Sequence, residues 1–157
     1  MQKDFHYDAI YVLAKWADID DDVAFKIAYS SQYVDDANNT GQLYFHNKFS
    51  YTRTSSAHAV LDITHNSDDV ENHNTWLPFH FLPGNAGYAR GQAPNLEIED
   101  LLVCTPDSYV ARDMVKEAIK ACSKSNGIQR FGIALHTYAD TWAHRGFIGR
   151  VSDKNVV

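Results

Sequence analysis

The pattern of apolar and polar positions near the amino terminus predicts a helix from His6 to Ala17. Positions separated by three or four residues fall on one face of an α-helix. The residues with that spacing are His6, Ile10, Leu13, Ala14 and Ala17. We therefore expect His6 to point inward, although its neighbours on that face are apolar.

A second helix is predicted to begin at the acidic run Asp20–Asp22, because carboxylates favour the positively polarised first turn of a helix. One face of this helix carries mainly small and apolar residues: Ala24, Ile27, Ala28, Ser31 and Val34. Continued helical spacing places Asp35 on the buried face. Asp36 instead aligns with Gln32 and Tyr29, so its orientation is left open.

The middle of the chain, residues 38–75, is polar and aromatic and lacks a clear period. Asn38-Asn39-Thr40-Gly41 indicates a turn, and a short helix from Ser56 to Ile63 is compatible with the pattern. Further on, Pro78 and Pro83-Gly84 flank the run Phe79-His80-Phe81-Leu82. We predict an ordered loop there, with His80 between two aromatic rings.

Two further helices are predicted in the last third. Thr105-Pro106 is typical of a helix start, and Asn126-Gly127 of a helix stop. A last helix is expected from about Ile128 to His144. The fold class is thus mainly α, a helical bundle with an irregular, loop-rich middle segment, in a single helical domain spanning residues 1–157.

Composition narrows the class of protein. Hydrophobic residues make up 45% and charged residues 22%, which is typical of a globular chain. The net charge of -6 and the absence of a Lys/Arg-rich run argue against binding of duplex DNA. Two cysteines without CxxC spacing indicate neither a disulfide framework nor a thiolate zinc site. No apolar run has the length of a signal peptide or a membrane span, so we expect a cytoplasmic protein without a membrane span.

The last predicted helix carries the most informative motif. His136, Asp140 and His144 recur every four residues, so they share one helix face. Imidazole and carboxylate are the ligands that zinc takes where thiolates are absent, and the carboxylate of Asp140 is suited to bridge two ions. Considered alone, the same spacing is equally typical of ordinary ion pairs on a helix surface.

Residues elsewhere favour a metal site. His6 and Asp35 are predicted to project inward from two other helices, and His80 lies in the proline-flanked loop. An imidazole or carboxylate buried without a partner is costly. Each residue singly has a structural explanation, but together these residues favour a site that holds a cation.

A family resemblance rests on the same residues. The run His136-x-x-x-Asp140, followed by His144, resembles the helix motif of zinc-dependent phospholipases C and the related single-strand-specific nucleases. These are all-helical enzymes with a clustered trinuclear zinc site. The superfamily also has a histidine on its first helix, an aspartate ending its second, and a later His-Phe pair. The matching positions here are His6, Asp35 and His80-Phe81.

The chain also resembles, over almost its whole length, a bacterial family of unknown function. The motifs that carry this likeness are Asp4-Phe5-His6-Tyr7, Ser31-Gln32-Tyr33-Val34-Asp35-Asp36, Pro78-Phe79-His80-Phe81-Leu82-Pro83-Gly84 and the run from His136 to His144.

The resemblance to the zinc enzymes implies two sets of ligands. The side chains expected to hold one ion are those of Asp35, His80, His136 and Asp140. A second ion would be held by His6, Asp140 and the α-amino group of Met1, with Asp4 as an alternative to that amine. A third ion would use His144 and a later His-x-x-x-Asp or His-x-x-x-Glu motif. No histidine follows His144 in this chain, so we expect a form truncated at the carboxyl terminus.

Two functions follow from these expectations. As an enzyme, the protein would be a phosphoric ester hydrolase acting on a small-molecule or phosphodiester substrate, with Asp35 or Asp36 orienting a metal-activated water. As a non-catalytic protein, it would use the metal to hold its helices together. The cofactor is Zn2+, or another divalent ion such as Mn2+, Fe2+ or Ni2+, with more than one ion bound. HExxH, GxSxG and Walker motifs are absent.

Overall fold

The computed structural model describes residues 3–58, 69–92 and 95–155, and for residues 69–72 it describes only the backbone. The chain is mainly helical. A π-helical turn, Asp4–Ala9, leads into α1 (Ile10–Trp16). The other helices are α2 (Asp21–Asp36), α3 (Asp69–Phe79), α4 (Ile98–Leu102), α5 (Tyr109–Lys120) and α6 (Gly127–Ala143). One two-stranded sheet pairs β1 (Gln42–Tyr44) with β2 (Ser50–Thr52).

The long helices α2 and α6 form the centre of the fold, and a glycine lets their backbones approach. A Cβ at Gly132 of α6 would lie 2.4 Å from the carbonyl oxygen of Ile27 on α2. Ile27 is buried in an apolar core with Ile10 and Ala28. Residues packed around that core include Tyr7 and Tyr11 near the amino terminus and Phe131 and Leu135 of α6. This contact fixes the last turns of α2 against α6, where the candidate ligands lie.

The predicted first helix is confirmed, but its predicted inward face is only partly correct. His6, Ile10 and Ala14 are buried, whereas Leu13 is 58% exposed and Ala17 is also exposed. Both exposed residues line an apolar groove of about 630 Å³ between the first helix and α6. The face that contacts the core is therefore narrower than the periodicity suggests.

The predicted second helix is confirmed in its start and its buried face. Asp20 is the N-cap, and its carboxylate accepts a hydrogen bond from the backbone N–H of Asp22. The residues predicted to be buried are all buried: Ala24, Ile27, Ala28, Ser31 and Val34. Asp35, in the last turn, is mostly buried.

The middle segment contains more regular structure than its sequence pattern indicates. Residues 42–52 form a hairpin in which Leu43 pairs with Tyr51 and Tyr44 pairs with Ser50. All its strand residues are exposed, so no buried face produces the alternation from which strands are predicted. Residues 56–58 are not helical, and the rest of the helix considered for Ser56–Ile63 lies outside the described residues.

The predicted loop around His80 is partly wrong. Pro78 and Phe79 belong to the last turn of α3, and His80 follows that helix directly, with its N–H bonded to the carbonyl of Trp76. Pro78 has no N–H to bond to the carbonyl of Asn74, and the helix ends one residue later, at Phe79. His80 is therefore positioned by the end of a helix and not by a loop.

The helix predicted to start at Thr105-Pro106 starts later, at Tyr109. Ser108 is its N-cap and accepts from the N–H of Ala111. Asp107 has a positive φ of 50°, which a helix start at Pro106 would not allow. Asn126-Gly127 marks the beginning of α6 and not the end of α5, and Gly127 is required because a Cβ would lie 2.2 Å from the carbonyl oxygen of Ala121.

Among the described residues, no helix is long and apolar enough to cross a membrane.

Candidate metal centre

Five polar side chains from four parts of the chain meet beside the α2–α6 contact. His6 comes from the π-helical turn, Asp35 from the last turn of α2 and His80 from the end of α3, while His136 and Asp140 lie one turn apart on α6. His6, His136 and Asp140 are fully buried, and His80 is nearly so. The residues singled out from the sequence therefore form one cluster.

Four of their atoms lie close to one another. The Nδ1 of His80 lies 3.1 Å from the Nε2 of His136, and the Oδ2 of Asp140 lies 2.9 Å and 3.2 Å from those two nitrogens. The Oδ1 of Asp35 is 3.9 Å from the first nitrogen and 3.7 Å from the second, and Asp35, His80 and His136 form a group with ligand atoms close enough to share an ion. Bonds of about 2.0–2.1 Å in a tetrahedral zinc site separate ligand atoms by roughly 3.3 Å, which is near these separations.

Asp140 faces two sides of the cluster. Its Oδ2 points to His80 and His136, while its Oδ1 lies 3.2 Å from the Nε2 of His6. His6, His136 and Asp140 thereby form a second group with ligand atoms close enough to share an ion. A carboxylate with each oxygen in a different ligand group has the geometry of a bridge between two ions.

His144 borders the cluster at its outer side. It follows the last residue of α6, and its Nε2 lies 3.7 Å from the Oδ2 of Asp140. Its ring stacks on Phe81 at 4.1 Å between centroids. His80, Asp140 and His144 form a third group of potential ligands.

Two of the potential ligands are partly exposed to solvent. The side chains of Asp35 and His144 are 21% and 27% exposed, whereas those of His6, His80, His136 and Asp140 are buried.

Hydrogen bonding of His80 determines which of its nitrogens faces the cluster. Its Nε2 lies 2.8 Å from the carbonyl oxygen of Ser56, and a carbonyl can only accept, so that nitrogen carries a hydrogen. In the neutral ring the lone pair is then on Nδ1, which faces Asp140. Ser56 in turn donates its hydroxyl to the carbonyl of Val34, next to Asp35. One buried serine thus fixes both the tautomer of His80 and the end of α2.

The electrostatics of the cluster favour an ionised carboxylate and a neutral imidazole. Burial by itself raises the pKa of Asp140, but the four imidazole rings around its carboxylate, those of His136, His144, His6 and His80, outweigh burial and hold that pKa well below its usual range. Burial lowers the pKa of His136, although its hydrogen bond to Asp140 acts in the opposite direction. These are the protonation states that bind metal.

His6 contacts the cluster by stacking and by one close polar approach. Its ring is stacked on that of His136, with centroids 3.8 Å apart and planes 24° apart. Neither ring nitrogen of His6 makes a hydrogen bond to the part of the chain that the structure describes.

Cys104 lies beside the cluster but outside the ligand groups. Its buried thiol donates a weak hydrogen bond to the carbonyl of Thr141. Burial and the nearby charge of Asp140 raise the pKa of this thiol to about 11. It therefore stays protonated at neutral pH, and the ligand set is one of nitrogen and oxygen.

Two other candidates lie away from the cluster. Asp36 is exposed and accepts a hydrogen bond from Gln32, so of the two aspartates considered for orienting water only Asp35 faces the ligands. Asp4, considered as a substitute for the α-amino group, is exposed and accepts from the N–H of Phe5. Met1 lies outside the described residues.

The histidines left unassigned by the sequence differ in their positions. His46 is exposed in the hairpin, and His73 is half-buried on α3. His58 is hydrogen-bonded to Thr75, and its ring meets the edge of Trp76, whose ring in turn contacts His80. His65 lies outside the described residues. Sequence reasoning missed Ser56 altogether, because a carbonyl partner leaves no sequence signal.

Comparison with known proteins gives one match. No curated protein and no solved structure matches the chain. A family model described as "Family of unknown function (DUF6765)" matches residues 1–157. Because that match covers the whole chain, the protein belongs to this family of unknown function.

Proposed function

We propose that this protein binds divalent metal ions of the zinc type through the His/Asp cluster and uses them to hydrolyse a phosphoric ester. The observation that carries the metal-binding part is the contact between His80 and Asp140. With its hydrogen on Nε2, the neutral His80 ring directs a lone pair from Nδ1 at a carboxylate oxygen 2.9 Å away. Two acceptors at that distance repel each other unless a cation lies between or beside them.

The competing explanation is a metal-independent ion pair, with His80 doubly protonated. That pair would satisfy Asp140 Oδ2 alone. The protonated Nδ1 would have the Nε2 of His136 as a second acceptor and would attract Asp35. The ion pair would still leave Asp140 Oδ1 and both ring nitrogens of His6 without a hydrogen bond among the described residues. A divalent ion accounts for all four atoms together and offsets the charge of two carboxylates in a buried site.

We assign the ligands as follows. One ion is held by Asp35 Oδ1, His80 Nδ1, His136 Nε2 and Asp140 Oδ2, and a second lies between His6 Nε2 and Asp140 Oδ1. His144 would be a further ligand on the partly exposed side of Asp140, where its Nε2 lies 3.7 Å from Oδ2 of that aspartate. Zinc fits this donor set, since neutral imidazoles and carboxylates are its ordinary ligands in the absence of thiolate.

The hydrolytic part of the proposal is supported by the partial exposure of Asp35 and His144 and by the resemblance of the α6 motif to zinc-dependent phospholipases C and nucleases. Bound divalent ions would supply Lewis acidity and a water of lowered pKa. Asp35 would accept a proton from that water. The buried histidines orient the site and exclude solvent from its inner side.

A structural metal is the second candidate function. The ligands come from the amino-terminal turn, α2, the end of α3 and α6, so an ion there would hold four segments together and add its binding energy to folding. An open coordination position at the Asp35–His144 side favours chemistry, whereas a closed tetrahedral shell favours a purely structural role.

The metal-binding part is tested by elemental analysis of protein purified without chelator and without a polyhistidine tag. We expect at least one equivalent of a divalent metal that is lost in His136→Ala. Protein that contains no metal, and takes up none from a zinc titration, would show that the cluster is an ion-pair network.

The hydrolytic part is tested with bis-p-nitrophenyl phosphate and added zinc. We expect turnover that Asp35→Asn reduces at least about tenfold, because loss of a general base typically costs one hundredfold or more. The matched control is Asp36→Asn, which changes the neighbouring carboxylate outside the cluster and should retain activity. Metal-loaded protein without turnover would leave the structural role as the function.

A further inference from the structure

The hairpin at residues 42–52 exposes its aromatic side chains to solvent. Every residue from Asn38 to Thr54 is exposed, and no described residue covers either face of the two strands. The exposed aromatic rings are Tyr44 (78%), Phe45 (54%), Phe49 (71%) and Tyr51 (61%). A clustered apolar surface of this kind on a globular protein marks a contact with a partner or a membrane.

The tip of the hairpin is ordered by its own hydrogen bonds. The N–H of Phe45 donates to the carbonyl of Phe49, the N–H of Lys48 donates to the carbonyl of Phe45, and Asn47 accepts from the N–H of Phe49. Lys48 has a positive φ of 67°, as the turn requires. The two phenylalanines thereby flank a lysine at the end of the projection.

The charge of this segment is opposite to that of the chain. The whole chain carries -6, yet no Asp or Glu occurs between Asp36 and Asp62. The same stretch contains Lys48 and Arg53, both exposed, and His46. The hairpin is thus a basic and aromatic projection from an acidic protein, and the surface it complements is anionic and apolar.

The shape of the hairpin distinguishes between two anionic partners. Binding of single-stranded nucleic acid uses a positively charged groove lined with aromatic platforms. Here the rings lie on a hairpin whose residues are all exposed, and none of them lines the apolar groove between the first helix and α6. A projecting tip with phenylalanines at its end, tyrosines behind them and cations beside them instead fits the interface of an anionic bilayer.

We propose that the hairpin, residues 42–52, docks the protein onto an anionic lipid surface, with Phe45 and Phe49 entering the acyl boundary and Lys48 and Arg53 contacting headgroups. This proposal stands apart from the metal site and from its activity. An isolated two-stranded hairpin is marginally stable in water. Insertion into the bilayer would also bury the exposed rings, which none of the described residues covers.

The experiment is flotation of the full chain with vesicles of phosphatidylcholine alone and of phosphatidylcholine with phosphatidylglycerol. We expect binding to the anionic vesicles that weakens with added salt. Phe45→Ser/Phe49→Ser should reduce the partition coefficient at least about tenfold. Lys48→Gln/Arg53→Gln should reduce it roughly fivefold for each cation removed.

Matched controls separate the hairpin from surface hydrophobicity in general. Trp16→Ser and Ile119→Ser remove exposed apolar side chains from α1 and α5, and they should leave the partition coefficient unchanged. All variants are compared after circular dichroism and thermal melting have shown the same helical content and the same Tm as the wild type, so that the fold persists.

Three results would overturn the proposal. The first is that the wild type does not bind anionic vesicles. The second is that the Trp16 or Ile119 control loses as much of its partition coefficient as the hairpin variants do. The third is that both hairpin double variants bind as the wild type does. Binding of an oligothymidylate by the wild type that is lost in the phenylalanine variant, without vesicle binding, would assign the hairpin to nucleic acid. None of these results depends on whether the cluster holds metal.

Discussion

The ligand cluster and the hairpin depart from the usual distribution of polar and apolar residues in opposite directions. In the cluster, His6, His136 and Asp140 are fully buried. In the hairpin, rings as large as Tyr44 and Phe49 are mostly exposed. Either arrangement is costly in water without a partner. The comparison motivates both proposals, a cation for the buried cluster and an apolar, anionic surface for the exposed hairpin.

The largest effect is expected from Asp140→Asn. The substitution removes the charge and one of the two oxygens that face different ligand groups, while keeping the size of the side chain. Zinc affinity should fall about a thousandfold, or roughly 4 kcal/mol, in a titration against a chromophoric chelator. Asp113→Asn, an exposed aspartate on α5, is the control. An affinity within a few-fold of wild type would show that Asp140 does not bridge.

Removal of metal should give the next largest effect. A ligand that binds only the folded state stabilises it by about 2.7 kcal/mol at a hundredfold excess over its Kd. Chelation should therefore lower the Tm of the wild type clearly and leave that of Asp140→Asn unchanged. If the Tm of the wild type stays the same after the metal is shown to be lost, the cluster does not hold the amino-terminal turn to α6.

The pH dependence of the metal-free protein should show a smaller effect. Burial lowers the pKa of His136 in the folded state, whereas in the unfolded chain a histidine titrates near its ordinary value of about 6.5. Below that value the unfolded state binds more protons, so stability falls as pH falls, by up to about 1.4 kcal/mol per unit from this group. Asp140, whose pKa is lowered, adds to the loss only below its unfolded value of about 3.9.

Chemical denaturation of the chelated protein between about pH 7 and pH 5 measures this slope. His136→Gln should flatten it, and His46→Gln, in the exposed hairpin, should not. A slope that is the same in wild type and His136→Gln would mean that another group titrates in this range.

The smallest effect is expected in the hairpin. Because no described residue packs on Tyr44 or Phe49, replacing either by serine should change the free energy of unfolding by less than about 0.5 kcal/mol. Ile27→Ala, in the core between α1 and α2, should cost about 2–5 kcal/mol in the same urea titration. A hairpin variant as costly as Ile27→Ala would show that the hairpin packs on the body of the protein and is not available to a membrane.

Much of the helical architecture was predictable because helix periodicity is a local property. The spacing of Ala24, Ile27 and Ala28 was enough to orient α2, and Asp20 to start it. Predictions failed where tertiary contacts override local signals. Asp107 is bonded through its carboxylate to Tyr138 and Arg112 and through its N–H to Thr141, so a proline that is typical of a helix start lies in a connecting segment. The hairpin was missed because it buries neither face.

The sequence alone was enough to predict which residue types could form a site and which helix faces carry them. It predicted His136 and Asp140 on one side of α6, His6 facing inward on the first helix, and Asp35 on the buried face of α2. Three features of the site depend on tertiary contacts and could not be predicted. The Nδ1 of His80, and not its Nε2, faces Asp140, and the two oxygens of Asp140 face different histidines. Asp36 lies outside the cluster. The physical reason is that a helix fixes the direction of a side chain within a few residues. Distances between side chains a hundred residues apart, and the carbonyl that selects a tautomer, depend on how the helices pack.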